Sequence, residues 1–298
     1  MNIHGIPIEE TFAEAFDMKA TRLILTAHDR QWVSDAAQAF TGFATSVIAC
    51  GIEMGIEREL TPQETPDGRP GVAILAFAVS SKELEKQIPR RAGQCVLTCP
   101  TTALFAGIES PKPVPLGKTL RFFGDGFQIS KSIGSKRYWR IPVMDGEFLC
   151  EQQTARVDAI GGGNFFLFGA DLDSVTIACR AAIAAIKPLP GVITPFPGGA
   201  TRSGSKVGSK YPALFASTNE AYCPTLRGLV DTNLPEQTNV VLEVVIDGLT
   251  TSAIAEAIRV GIRAACEAKT KQPLVAISAG NYGGNLGKHH FHLYEVLA

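Results

Sequence analysis

Two adjoining stretches of this chain hold groups that could do chemistry. Pro195-Phe196-Pro197-Gly198-Gly199 opens an irregular segment that runs through Cys223-Pro224 and is rich in Gly, Ser, Lys and Asn. The run from Val240 to Ile246 follows, apolar except for Glu243 at its centre. Most connections inside compact domains are far shorter than residues 196–238, so this one reads as a binding loop. In a strand, Val241, Glu243 and Val245 share one face while Val240, Leu242, Val244 and Ile246 share the other. A lone carboxylate there has two readings. On an open face it points at water. With both faces covered it is desolvated, its pKa rises, and the neutral acid donates a hydrogen bond to a developing oxyanion.

The loop offers binding groups of two kinds. Gly204-Ser205-Lys206-Val207-Gly208-Ser209-Lys210 is no phosphate loop, since the pattern G-x-x-x-x-G-K-[ST] is absent. Its glycine-freed amides, the hydroxyls of Ser205 and Ser209 and the ammonium groups of Lys206 and Lys210 still suit diffuse anions such as carboxylates or a phosphodiester. The plain reading is a solvated loop. Ser217, Thr218, Asn219 and Tyr222 then set polar donors beside an aromatic ring. Cys223 could accept an acyl group, but no histidine lies near it in sequence to make a thiolate. His290 and His292 would share a strand face next to His289 without a third metal ligand, and Cys95 and Cys99 have no answering pair. Gly161-Gly162-Gly163-Asn164 precedes a strand instead of following one, which excludes a dinucleotide fingerprint.

The elements that must position these groups come in a repeated order. Glu9 to Lys19, with Phe12 and Phe16 four apart, reads as a short amphipathic segment. After it come a strand at 22–27, a helix at 31–40 behind Asp29, strands at 45–50 and 72–79, a helix at 82–91 and a strand at 94–98. The second half gives a strand at 164–168, a helix opened by Asp173-Ser174, a strand at 192–195, the long loop, the Glu243 strand, a helix at 253–268 and a strand at 274–278. This predicts an α+β fold of two ferredoxin-like βαββαβ lobes from an internal duplication. The lobes span 1–108 and 161–298, the latter with its 196–238 binding loop. Between them, residues 109–160 form a β arm, in which Leu120 to Phe127 and Lys136 to Val143 alternate like hairpin strands. The arm's aromatics cover the core or face another subunit.

Composition sets the outer bounds. In 298 residues, 45% are hydrophobic and 19% charged, with a net charge of -1, which suits a soluble globular protein and argues against nucleic acid or an anionic membrane as partner. No apolar run approaches the roughly 20 residues that span a bilayer. Met1 to Gly5 lacks the basic and apolar regions of a signal peptide. Seven cysteines scattered among apolar residues suit reduced thiols, so the expected location is cytoplasmic.

Several of these segments together resemble formylmethanofuran:tetrahydromethanopterin formyltransferase. They are Glu10 to Phe16, Thr41 to Ile48, Glu64 to Gly71, Gly93 to Val96, Phe122 to Gly126, Pro195 to Gly199, Ser205 to Lys210, Ala216 to Pro224 and Ile277 to Gly284, in family order from end to end. The resemblance implies formyl transfer between the amine of methanofuran (or a methylofuran-type analogue) and N5 of tetrahydromethanopterin, by direct attack through a tetrahedral intermediate. It implies no metal or prosthetic group, Glu243 as the catalytic acid and a homotetramer. The loop residues named above are the candidates for substrate binding. The near-neutral charge departs from the acidic methanogen members, and 129–138 and 227–233 fit only loosely. These departures point to a bacterial pathway, in which the transferase joins a complex with a formylmethanofuran hydrolase. The competing expectations are a non-catalytic ferredoxin-like small-molecule sensor and a formyl hydrolase using Cys223.

Overall fold

The computed structural model describes residues 1–298, a mixed α+β chain with seven helices. Two compact units divide it: Met18–Ala159, and Met1–Asp17 together with Ile160–Ala298. The arm therefore groups with the N-terminal copy of the repeat. The first 17 residues group with the C-terminal copy, and the division falls inside a strand.

In the first unit the elements are β1 (Phe12–Thr26, of which Met18 onward belongs here), α1 (Arg30–Thr41), β2 (Glu53–Leu60), β3 (Gly71–Ala78), α2 (Ser81–Arg91) and β4 (Ala103–Ala106). Antiparallel pairing gives the order β4-β1-β3-β2. The second unit repeats it with β5 (Val157–Gly169), α3 (Leu172–Ile186), β6 (Val192–Ile193), β7 (Val240–Gly248), α4 (Thr251–Glu267) and β8 (Ala276–Ser278), ordered β8-β5-β7-β6. Numbered within each unit, both sets of four strands run fourth, first, third, second.

Side-chain caps start all four helices. Asp29 accepts from the amide of Trp32, Ser80 from Glu83, Asp171 from Ser174 and Thr250 from Ala253, each satisfying an orphan donor of the first turn. The buried stripe of α3 is Val175, Ala178, Cys179, Ala182 and Ile186; that of α4 is Ile254, Ala257, Ile258, Gly261, Ile262 and Ala265. These spacings turn one face of each helix onto the sheet. Gly261 lets the two helices approach, because a Cβ there would stand 2.9 Å from Ile186 Cδ1 and 3.0 Å from Phe165 Cζ.

Four expectations need correction. The second strand is not at 45–50: Ser46 caps a short helix Val47–Cys50, Gly51 ends it at φ 74°, and β2 begins at Glu53. The fourth is not at 94–98, where α2 runs on into wider helical turns over Ala92–Val96; β4 lies further on. Both were short apolar runs, which periodicity cannot assign to strand or buried helix. Leu120 to Phe127 forms no hairpin strand but helical turns at Gly117–Leu120 and Arg121–Gly124, with the Arg121 guanidinium stacked 4.7 Å from the Trp139 ring. The hairpin forms instead from Ile129–Ile133, Lys136–Val143 and Gly146–Glu151. Finally, Phe12 and Phe16 lie in β1, since a spacing of four keeps one face in a strand as well as in a helix.

Candidate active site

Glu243 sits mid-strand in β7, opposite Phe166 of β5. On its other side the loop residue Thr201 continues the sheet: its amide donates to the Glu243 carbonyl at 2.8 Å, and the Glu243 amide donates back at 2.9 Å. Both backbone groups of the acid are thus bonded to Thr201 on one edge, while β5 pairs with β7 along the other. Alternation sends Val244 and Ile246 into the core with α3 and α4. It sends Val241 to the opposite face, where Phe166, Phe168, Leu234 and Ala276 form a second apolar cluster with Tyr222. Tyr222 packs on Phe166 with centroids 4.9 Å apart and lies stacked near Phe168 at 6.1 Å. The face that would have met water is covered by the 196–238 loop.

A cavity of about 160 Å³ opens between loop and sheet, lined by Phe166, Val241, Glu243, Thr201 to Gly204, Asn219 and Tyr222 to Thr225. Glu243 is half-buried in it, and desolvation pushes its carboxyl from the usual 4.5 up to about 7. A large share of the molecules therefore hold the neutral acid near neutrality, able to donate a hydrogen bond to an oxygen that gains negative charge. Arg202 brings one cation to the same wall. The Cys223 thiol meets the Thr218 hydroxyl at 3.4 Å and the Asn219 carbonyl at 3.5 Å, neither of them a base that would make it a thiolate.

Comparison with known proteins identifies the family of the chain. The family model for formylmethanofuran-tetrahydromethanopterin formyltransferase matches residues 1–143, and the model for the proximal lobe of that family matches 146–296. The chain belongs to this formyltransferase family. It is 64% identical over 312 residues to the formylmethanofuran–tetrahydromethanopterin formyltransferase of Rhodopirellula baltica, covering 100% of this chain and 93% of the relative. Among solved structures, the formyltransferase/hydrolase complex from Methylorubrum extorquens, in complex with methylofuran, is similar at 52% identity and a TM-score of 0.96, over 100% of this chain and 99% of the other. The Methanosarcina barkeri formylmethanofuran:tetrahydromethanopterin formyltransferase is similar at 45% identity and 0.92, over 99% and 100%.

Of the eight loop residues expected to bind substrate in this formyltransferase, Asn219 and Tyr222 line the cavity. The others shape a hairpin beside it, Ser205–Val207 paired with Ala216–Thr218. Within it the Lys206 ammonium pairs with Glu220. Ser217 Oγ donates to the Gly208 carbonyl at 2.7 Å, Ser209 Oγ accepts from the Tyr211 amide at 3.0 Å, and Lys210 is exposed. Lys206 is thus committed to an internal partner. Thr201, Arg202 and Ser203 were passed over although they follow Pro195–Gly199 directly in the loop. Phe166 carries no local signal, since only strand register brings it opposite the acid. His290 and His292 flank Phe12, with ring centroids 4.9 and 5.1 Å away, and no group of three or more His, Cys, Asp or Glu side chains is arranged to hold a metal ion.

Proposed function

We propose that this formyltransferase moves a formyl group between a furan-amine carrier, methanofuran or a methylofuran-type analogue, and N5 of tetrahydromethanopterin, with Glu243 as the acid. The attacking nitrogen forms a bond to the formyl carbon, and the carbonyl oxygen takes the negative charge while hydrogen-bonded to the Glu243 carboxyl. The intermediate collapses by breaking the bond to the donor nitrogen, which takes up the proton lost by the attacker. The observation that carries this reading is a carboxyl with a pKa raised to about 7 by burial on the cavity wall. Holding two large carriers in contact accounts for much of the remaining acceleration.

The test mixes purified protein with formylated pterin and furan amine and compares wild type with Glu243→Ala, which removes the donor altogether. Loss of one oxyanion donor lowers kcat by about 10²–10³. Equal rates would remove Glu243 from the mechanism.

The same reading carries four wider proposals. The lobes at 1–108 and 161–298, joined by the arm, are ferredoxin-like duplicates, supported by their shared strand order. Asn219 and Tyr222 touch substrate, and Ser205, Lys206, Ser209, Lys210, Ser217 and Thr218 shape the hairpin that flanks it. The chain assembles as a homotetramer through apolar arm residues and joins hydrolase subunits, as the Methylorubrum relative does in its complex. It works in the cytoplasm; no helix is long and apolar enough to cross a membrane.

A further inference from the structure

Three segments of the family resemblance, or beside it, have no part in the chemistry above: Glu10 to Phe16, Gly161 to Asn164, and Ile277 to Gly284. The fold brings them together. Glu14 is fully buried, and its carboxylate accepts four backbone amides of one loop: Tyr282 at 2.6 Å and Gly284 at 2.8 Å on Oε2, Leu286 at 2.7 Å and Gly287 at 2.6 Å on Oε1. Burial pushes this carboxyl up, yet the four amides outweigh it and hold the group below the usual range. Gly283 and Gly284, at φ 74° and 76°, supply the left-handed turns that aim the amides inward. Asn164 closes the start of the loop, accepting from the Gly280 amide at 2.6 Å and donating to the Gly280 carbonyl at 3.1 Å. Asn281 is tied to Thr11 and the Phe12 carbonyl.

The side chain that this frame presents is Tyr282. Its ring lies 6.0 Å from that of Phe16, and its hydroxyl donates to the Ser205 carbonyl at 3.4 Å. Ser205 directly follows Thr201 to Gly204, the segment that bonds the Glu243 backbone and walls the cavity. We propose that Tyr282 is a positioning residue: through Ser205 it holds the Thr201–Gly204 wall over Glu243 and keeps water from the acid. Burial raises the Tyr282 phenol, and the charge of Glu243 raises it further, which places the two within electrostatic reach. The other titratable or charged groups facing Glu243 are Arg202, Tyr222 and Cys223, all from the loop; β5 contributes the apolar Phe166.

This inference rests on the function proposed above, and the experiment separates the two. The Glu243 carboxyl is titrated by infrared difference spectroscopy on the full chain, its band assigned by its loss in Glu243→Gln, while formyl exchange is followed against pH. Tyr282→Ala moves the titration midpoint down by about one pH unit as water enters, and the alkaline fall of kcat moves with it. Tyr282→Phe, which keeps the ring and loses only the tether, moves both the same way by less. An unchanged midpoint in Tyr282→Ala overturns the inference; if that variant does not fold, an unchanged midpoint in Tyr282→Phe does so. Wild type that exchanges no formyl sinks the functional reading alone, since the spectroscopic comparison needs no turnover.

Discussion

Glu243 couples activity and stability to pH through one proton, and on the proposed mechanism both fall as pH rises. The proposed mechanism needs the neutral acid, so it predicts that kcat falls as pH rises through about 7. Stability follows the same group by linkage. Below about 4.5 both folded and unfolded chains hold the proton. Between 4.5 and about 7 the unfolded chain releases it first, so the folded state loses stability across that window. At 1.36 kcal/mol per unit, reduced for partial exposure, the loss reaches up to about 3 kcal/mol. Glu243→Gln has no such slope. Urea titrations at pH 5 and pH 8 should show the variant gaining on wild type as pH rises; parallel curves would mean the carboxyl is well solvated.

At the scale of elements, the β7 strand and the Gly280–Gly287 loop achieve rigidity by different means. β7 is fixed by ladder pairing to β5 along one edge and, at Glu243, by two backbone bonds to Thr201 on the other. The loop has no ladder and relies on the Glu14 carboxylate. Glu14→Gln keeps the size but turns an amide nitrogen toward two of the four backbone donors, leaving them unpaired. Each such donor costs about 1–3 kcal/mol, so chemical denaturation should report a loss of roughly 2–6 kcal/mol. A loss near zero would mean the loop is held by its glycines and asparagines alone. Glu243 stood out in the sequence because a single carboxylate interrupts a continuous apolar run, although the run alone did not say whether its face was covered. Glu14 did not, because its partners lie some 270 positions away and contact it through backbone, which no side-chain pattern encodes. The Asp29 cap was legible for the converse reason, since Asp29 and Trp32 are three residues apart, whereas the helix expected to open at Asp173-Ser174 is capped by Asp171.

Over the whole molecule, the duplicated order of elements was legible even though two strands were misplaced. Errors inside one copy do not erase a repeat, since the second copy states the order independently. What sequence could not give was the division inside β1, which depends on where Ala15 pairs with His289. Phe122, Phe123, Phe127 and Met144 on the arm are all exposed, with Met144 showing its whole surface. Exposed apolar side chains of this size suit the association proposed above. Sedimentation should therefore give four times the 31.8 kDa chain mass, and Phe122→Asp with Phe127→Asp should give smaller species. A wild-type monomer would rule out the homotetramer.

The proposed acid is borne by a strand paired on both edges, whereas most of the cavity wall hangs from the loop. Evolution can therefore redraw the loop to suit a carrier with a different tail while the proton donor stays where it is. Lineages that swapped one furan compound for another would need to change residues between 196 and 238 and leave the strand's interior untouched.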